Sequence, residues 1–121
     1  MGRPVLGEDY VRALRGREII RQEVDRALIG VDALVLPALS IEAPPIGAAN
    51  VPVKGGQEPV RNAMLRCTQP FNLSGHPAIS VPCGTTAAGL PVGLQIVGHA
   101  GRTTDLLRVA RAIERTVQPQ G

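Results

Sequence analysis

Apolar residues fall at helical spacing at both ends of the chain and in short unbroken runs between them. Tyr10 and Leu14 lie four apart, and Ile20, Val24 and Leu28 recur at the same interval. This predicts a helix from about Glu8 to Leu28 with one apolar face. Gly16 weakens its middle, and Gly30 is placed to stop it. Asp32-Ala-Leu-Val-Leu36, closed by Pro37, is a short continuous apolar run. Such a run predicts a strand covered on both faces, as in a parallel or mixed sheet. Periodicity then disappears: Pro37, Pro44, Pro45, Pro52 and Pro59 alternate with Gly47, Gly55 and Gly56. Residues 37–59 therefore read as a long irregular loop, a surface connection rather than the lining of a site.

A short helix is expected from about Val60 to Thr68, stopped by Pro70. Ala78–Val81 and Val92–Val97 read as strands, and the flexible Gly84–Gly89 segment between them predicts an antiparallel pair. Those glycines are no dinucleotide fingerprint, because a strand follows them and not a helix. The final helix is the best defined. Thr103 or Thr104 can cap it, Asp105 suits its first turn, and Pro119 ends it. Leu106, Val109, Ala110, Ile113 and Val117 make one face. The expected fold is α/β: one domain over 1–121, with a small mixed sheet of about three strands and helices packed on it.

Composition narrows the picture. In 121 residues 44% are apolar but only 2% aromatic, so the core is aliphatic and the ring platforms that stack nucleic-acid bases are lacking. The net charge of +3 does not concentrate into a binding patch. Arg12, Arg15, Arg17, Arg21 and Arg26 are interleaved with Glu8, Asp9, Glu18, Glu23 and Asp25, the pattern of a solvated helix face. Arg108, Arg111 and Arg115 form one basic stripe, read as an outer helix face. Nucleic acid is not an expected partner, and no apolar run approaches the ~20 residues of a membrane span. Two cysteines without a secretory leader suggest reduced thiols and a cytoplasmic setting, which makes the Asn72-Leu73-Ser74 sequon incidental.

Residues 68–84, Thr-Gln-Pro-Phe-Asn-Leu-Ser-Gly-His-Pro-Ala-Ile-Ser-Val-Pro-Cys-Gly, form the most specific stretch. It resembles amidase signature enzymes. Asp9-Tyr10 before a charged helix, Asp32–Pro37, and Gly89-Leu-Pro-Val-Gly-Leu-Gln-Ile-Val-Gly98 before a Leu-Leu-Arg-Val-Ala helix are similar to that family in the same order. The resemblance implies part of an α/β/α fold from the last quarter of such an enzyme. It also implies a serine-type amide hydrolysis, with a nucleophilic serine in a Gly/Ser-rich stretch, a second serine relaying a proton and a lysine as base.

A hydroxyl attacks an amide only when a base takes its proton and N–H donors meet the oxyanion. The serines here are Ser40, Ser74 and Ser80, none in a Gly/Ser-rich turn, and the one lysine is Lys54 in the Pro/Gly segment. No position matches the family's catalytic motif, so no catalytic residue carries over. Cys67, Cys83, His76 and His99 supply the types for a Cys–His dyad, but small buried thiols and a turn histidine are the favoured reading. Their spacing fits no zinc pattern, and no metal or other cofactor is expected.

By position in the resemblance, Thr68, Phe71 and Asn72 are candidates for a substrate-pocket wall. The stretch Met64–Gln69 has no acidic residue. Glutamine-using amidotransferase subunits carry one near there, so the resemblance tilts toward general amidases. Two readings follow. One is a C-terminal fragment of an amidase, inactive alone; the other is a stand-alone, non-catalytic binding or structural module derived from that fold. Both expect self-association or pairing with an N-terminal portion, because strands taken from a larger sheet leave open edges.

Overall fold

The computed structural model describes residues 4–117. In chain order its elements are α1 (Gly7–Ala27), β1 (Ala33–Pro37), β2 (Asn50–Val53), β3 (Gly56–Pro59), α2 (Val60–Leu65), α3 (Gln69–Ser74), β4 (Ala78–Thr85), β5 (Pro91–Gly98) and α4 (Thr103–Val117). Pro119, expected to end the last helix, lies outside the described residues.

Glu8 and Asp9 in the first turn of α1 and Arg26 in its last complement the helix dipole. The ion pairs Arg12–Asp9, Arg21–Asp25 and Arg26–Glu23, at 3.6, 4.0 and 2.8 Å, all lie at the surface and add little each. They are the solvated face read from the charge pattern. The apolar face divides in two. Val24 and Leu28 are buried, whereas Tyr10 and Leu14 remain 61% and 45% exposed. The helix packs against α3, and Tyr10, Val11 and Leu14 of its N-terminal half stay uncovered.

Three strands form one sheet in the order β1-β5-β4. The sequence predicts a mixed sheet, but every neighbouring pair is antiparallel. The reason is topological. β4 and β5 form a hairpin, and β1 joins the far side of β5 instead of pairing with β4, the strand it parallels. β1 is accordingly an edge strand, and it is not covered on both faces, since Val35 is 53% exposed.

Within 37–59 the loop expectation gives way to a second, two-stranded sheet, β2 with β3. Val53 pairs with Gly56, leaving Lys54 and Gly55 as the turn, and Gly55 adopts φ 100° at its second central position, where a type II turn calls for glycine. Pro52 is tolerated because a two-stranded ribbon consists only of edges. Val51 buries its side chain and anchors the hairpin.

The helix expected over 60–68 ends at Leu65, and a second, α3, follows from Gln69. Pro70 sits in the first turn of α3, where its missing N–H leaves nothing unpaired, so it starts a helix and does not stop one. Gly75 closes α3 at φ 77°, its N–H donating to the Phe71 carbonyl at 2.9 Å. A Cβ there meets Arg17 Nη2 at an ordinary 3.7 Å. Only the left-handed backbone then opposes a side chain, and Gly75→Ala is expected to cost about 1–2 kcal/mol, read from the urea midpoint.

The β4–β5 hairpin confirms the antiparallel pair, with a register shift between Pro82 and Gly84. Its turn is closed by Thr86 N–H to the Leu90 carbonyl at 2.8 Å and by Leu90 N–H to Thr86 Oγ1 at 3.2 Å. Helix α4 lies across β4 and β5 with the apolar face expected of it. Leu106 and Ala110 join Val81 and Ile96 in the core, and Ala33, Ile79, Leu94, Val109 and Ile113 surround them. Of the basic stripe, Arg108 pairs with Asp105 at 3.4 Å and is well exposed, as an outer face should be.

Candidate functional site

On the face of the sheet away from α4, the chain leaving β1 crosses in front of the β4–β5 hairpin. Ala38 N–H donates to the Gly93 carbonyl at 2.9 Å, extending the ladder past Pro37. Ser40 Oγ then donates to the Ala63 carbonyl at 2.7 Å, fixing the segment to α2. Between residues 38–43 and the hairpin lies a groove of about 820 Å³. Leu39, Ile41, Pro82 and Val92 contribute apolar wall, and Ser80, Thr86 and Glu42 contribute oxygen. Gly93 keeps its floor open: a Cβ there would stand 2.7 Å from Ser80 Oγ and 3.1 Å from Ala38 Cβ.

The groove offers hydroxyls without a lysine or histidine beside them, and Lys54 sits exposed on the β2–β3 turn. Glu42 is the one ionisable side chain of the lining; it is exposed, and no hydrogen bond joins it to Ser80.

A histidine does meet a serine elsewhere. His76 Nδ1 lies 2.9 Å from Ser74 Oγ, and His76 Nε2 lies 3.0 Å from Asp25 Oδ1. Serine, histidine and carboxylate thus stand in line, but Ser74 is 2% exposed and closes α3 beneath the surface. An attacking oxygen must reach a carbonyl, and this one faces packed protein. The array is structural.

The remaining candidates separate. Cys83 Sγ contacts the Val92 carbonyl at 3.5 Å, His99 Nε2 bonds the Val31 carbonyl at 2.9 Å, and the Cys67 carbonyl accepts Gln95 Nε2 at 2.8 Å. Both thiols are free. Among the described residues no group of three or more His, Cys, Asp or Glu could hold a metal ion.

Thr68, Phe71 and Asn72 share one turn at the start of α3. The Thr68 carbonyl accepts Phe71 N–H at 3.2 Å and Asn72 N–H at 3.3 Å. Phe71 is half-buried and Asn72 exposed. The turn is supported from below by buried Gln95 through its bond to Cys67. The groove, by contrast, is lined by 38–43 and the hairpin. Sequence reasoning favours a plain surface connection for 38–43. The only signal against it is the loop's length, since long loops often line sites.

The amidase family model matches residues 3–107. A glutamyl-tRNA(Gln) amidotransferase subunit of Myxococcus xanthus is 43% identical over 107 residues, which make up 88% of this chain and 21% of that protein. The crystal structure of an amidase superposes with a TM-score of 0.88 at 37% identity, covering 94% of this chain and 26% of its own. The corresponding amidotransferase protein of Thermotoga maritima gives a TM-score of 0.69 at 34% identity, covering 88% of this chain and 22% of its own. The chain thus spans about a fifth of the length of the curated relatives it matches. Strand order, the α3 turn and the helix laid on β4 and β5 accompany a match over most of the residues, and the chain belongs to the amidase family.

Proposed function

We propose that this chain is the C-terminal part of an amide-hydrolysing enzyme, supplying sheet and cavity wall while nucleophile and base come from the remainder. The groove carries the reading: its hydroxyls face 820 Å³ of space, and neither the lysine that serves as base in the family nor a histidine stands among the lining residues. The share of the relatives' length that the chain spans supports it as well. Thr68, just before α3, and Phe71 and Asn72 on it would add to the wall of the assembled cavity. The substrate class is a linear amide of the general amidase kind, because Met64–Gln69 presents no carboxylate to an ammonium group. A cytoplasmic setting fits the two free thiols, and among the described residues no helix is long and apolar enough to cross a membrane.

The test is hydrolysis of simple aliphatic and aryl amides by the purified chain. Turnover is expected to equal that of buffer. Turnover that disappears in Ser80→Ala or Cys83→Ala would place a working nucleophile here and overturn the reading.

The partner is the rest of the enzyme or, in its absence, a second copy. Leu6, Tyr10, Ile19, Val35 and Ile46 are each more than half exposed, and β1 and β4 both end the sheet with an open edge. Sedimentation of the isolated chain is expected to show species larger than a monomer. A monodisperse monomer that binds no apolar dye would contradict this.

A further inference from the structure

The serine–histidine–aspartate line that performs no chemistry joins three separate parts of the fold. Asp25 is on α1, Ser74 ends α3, and His76 lies in the connection to β4. The ring is fully enclosed, while the Asp25 side chain is 53% exposed, so the line runs from surface to interior. The next residue, Pro77, accepts Gly98 N–H at 2.9 Å and so continues the connection into β5. A second tie runs parallel to the first: Arg17 Nε donates to the Leu73 carbonyl at 2.6 Å.

Among the described residues no buried side-chain nitrogen or oxygen lacks a hydrogen-bond partner. The proton inventory shows how the line achieves this. With one ring proton, Nε2–H donates to Asp25 and Nδ1 accepts the Ser74 hydroxyl. With two, the ring donates to Ser74, whose hydroxyl turns to the Phe71 carbonyl 3.3 Å away. The serine thus keeps the line closed for either form of the ring. An apolar residue at 76 would fill the same space and reach neither neighbour.

We infer that His76 is a positioning residue. With Asp25 and Ser74 it forms a latch that holds the C-terminal half of α1 on α3 and sets the α3 turn bearing Thr68, Phe71 and Asn72. The effect on a substrate wall rests on the proposed function; the latch itself does not, and its test needs no turnover.

Amide hydrogen exchange is compared for the chain, His76→Leu, Asp25→Ala and the double variant. Each single change is expected to speed exchange about tenfold in residues 20–28 and 71–75, with α4 and β5 unchanged. The double variant is expected to exchange no faster than the singles, because either change opens the same line. Additive effects, uniform acceleration over the whole chain, or an unaltered α1 in Asp25→Ala would each overturn the latch. Should His76→Leu not fold, Asp25→Ala set against Asp25→Asn decides. Asn keeps an oxygen for Nε2–H and is expected to restore slow exchange. Equal exchange in those two variants would sink the proposal.

Discussion

Ile96→Ala is expected to lower stability by about 2–5 kcal/mol, the range for removing a fully buried aliphatic side chain. Ile96 is 0% exposed at the middle of β5. It lies between Val35 of β1 and Ile79 of β4 in the cross-strand register, and Leu106 and Ala110 of α4 share its cluster. The cavity cannot close easily, because β5 is bonded to a strand on each side and neither ladder can shift toward the gap. For a domain whose total stability is about 5–15 kcal/mol, such a loss removes much of the margin. The same row of the sheet contains its own control. Val35→Ala removes a side chain that is already 53% exposed, and is expected to cost less than about 1 kcal/mol. Urea unfolding of both variants, with an unchanged slope, checks the contrast. Equal midpoints would mean that α4 does not seal the centre of the sheet.

Gly98→Ala is expected to cost about 1–3 kcal/mol by overpacking. A Cβ at 98 would lie 3.0 Å from Leu106 Cβ and 3.5 Å from Leu106 Cδ1. The nearest atom belongs to the root of the side chain, so no rotamer of Leu106 removes it, and α4 itself must lift. Leu106→Ala therefore fails to rescue Gly98→Ala, since the offending Cβ remains. Gly93→Ala gives a useful comparison. Its nearest neighbour is Ser80 Oγ at 2.7 Å, a hydroxyl that can rotate away, although Ala38 Cβ at 3.1 Å still crowds it. Gly98→Ala is expected to be the more damaging of the two in thermal unfolding, and the reverse order would place α4 more loosely than described.

Neither glycine is marked as special by its local sequence. Both sit within Pro91–Gly98, a run that reads simply as a strand, and the need for each arises from another element crossing it. The same holds for His76. Its place before Pro77 suggests a turn or capping role, which is half correct: the ring does bond Ser74 two residues back, but its other nitrogen finds Asp25 fifty-one positions earlier. No spacing rule joins residues so far apart.

What the sequence determined alone was set by local physics. The 3.6-residue periodicity placed α4 and its buried face, the alternating charges placed the solvated side of α1, and the apolar runs placed β1, β4 and β5. The ordered motifs around Phe71–Pro77 were enough to point to the family, and the lack of a match to its serine and lysine motif was visible in a chain with three serines and a single lysine. Tertiary structure decided which edge of β5 receives β1, and so made the sheet antiparallel and not mixed. It also turned part of a Pro/Gly-rich segment into a hairpin and another part into a groove wall, and it left half of a helix face uncovered. Strand order, groove lining and partial burial depend on contacts between residues distant in the chain, and such contacts leave no period in a sequence.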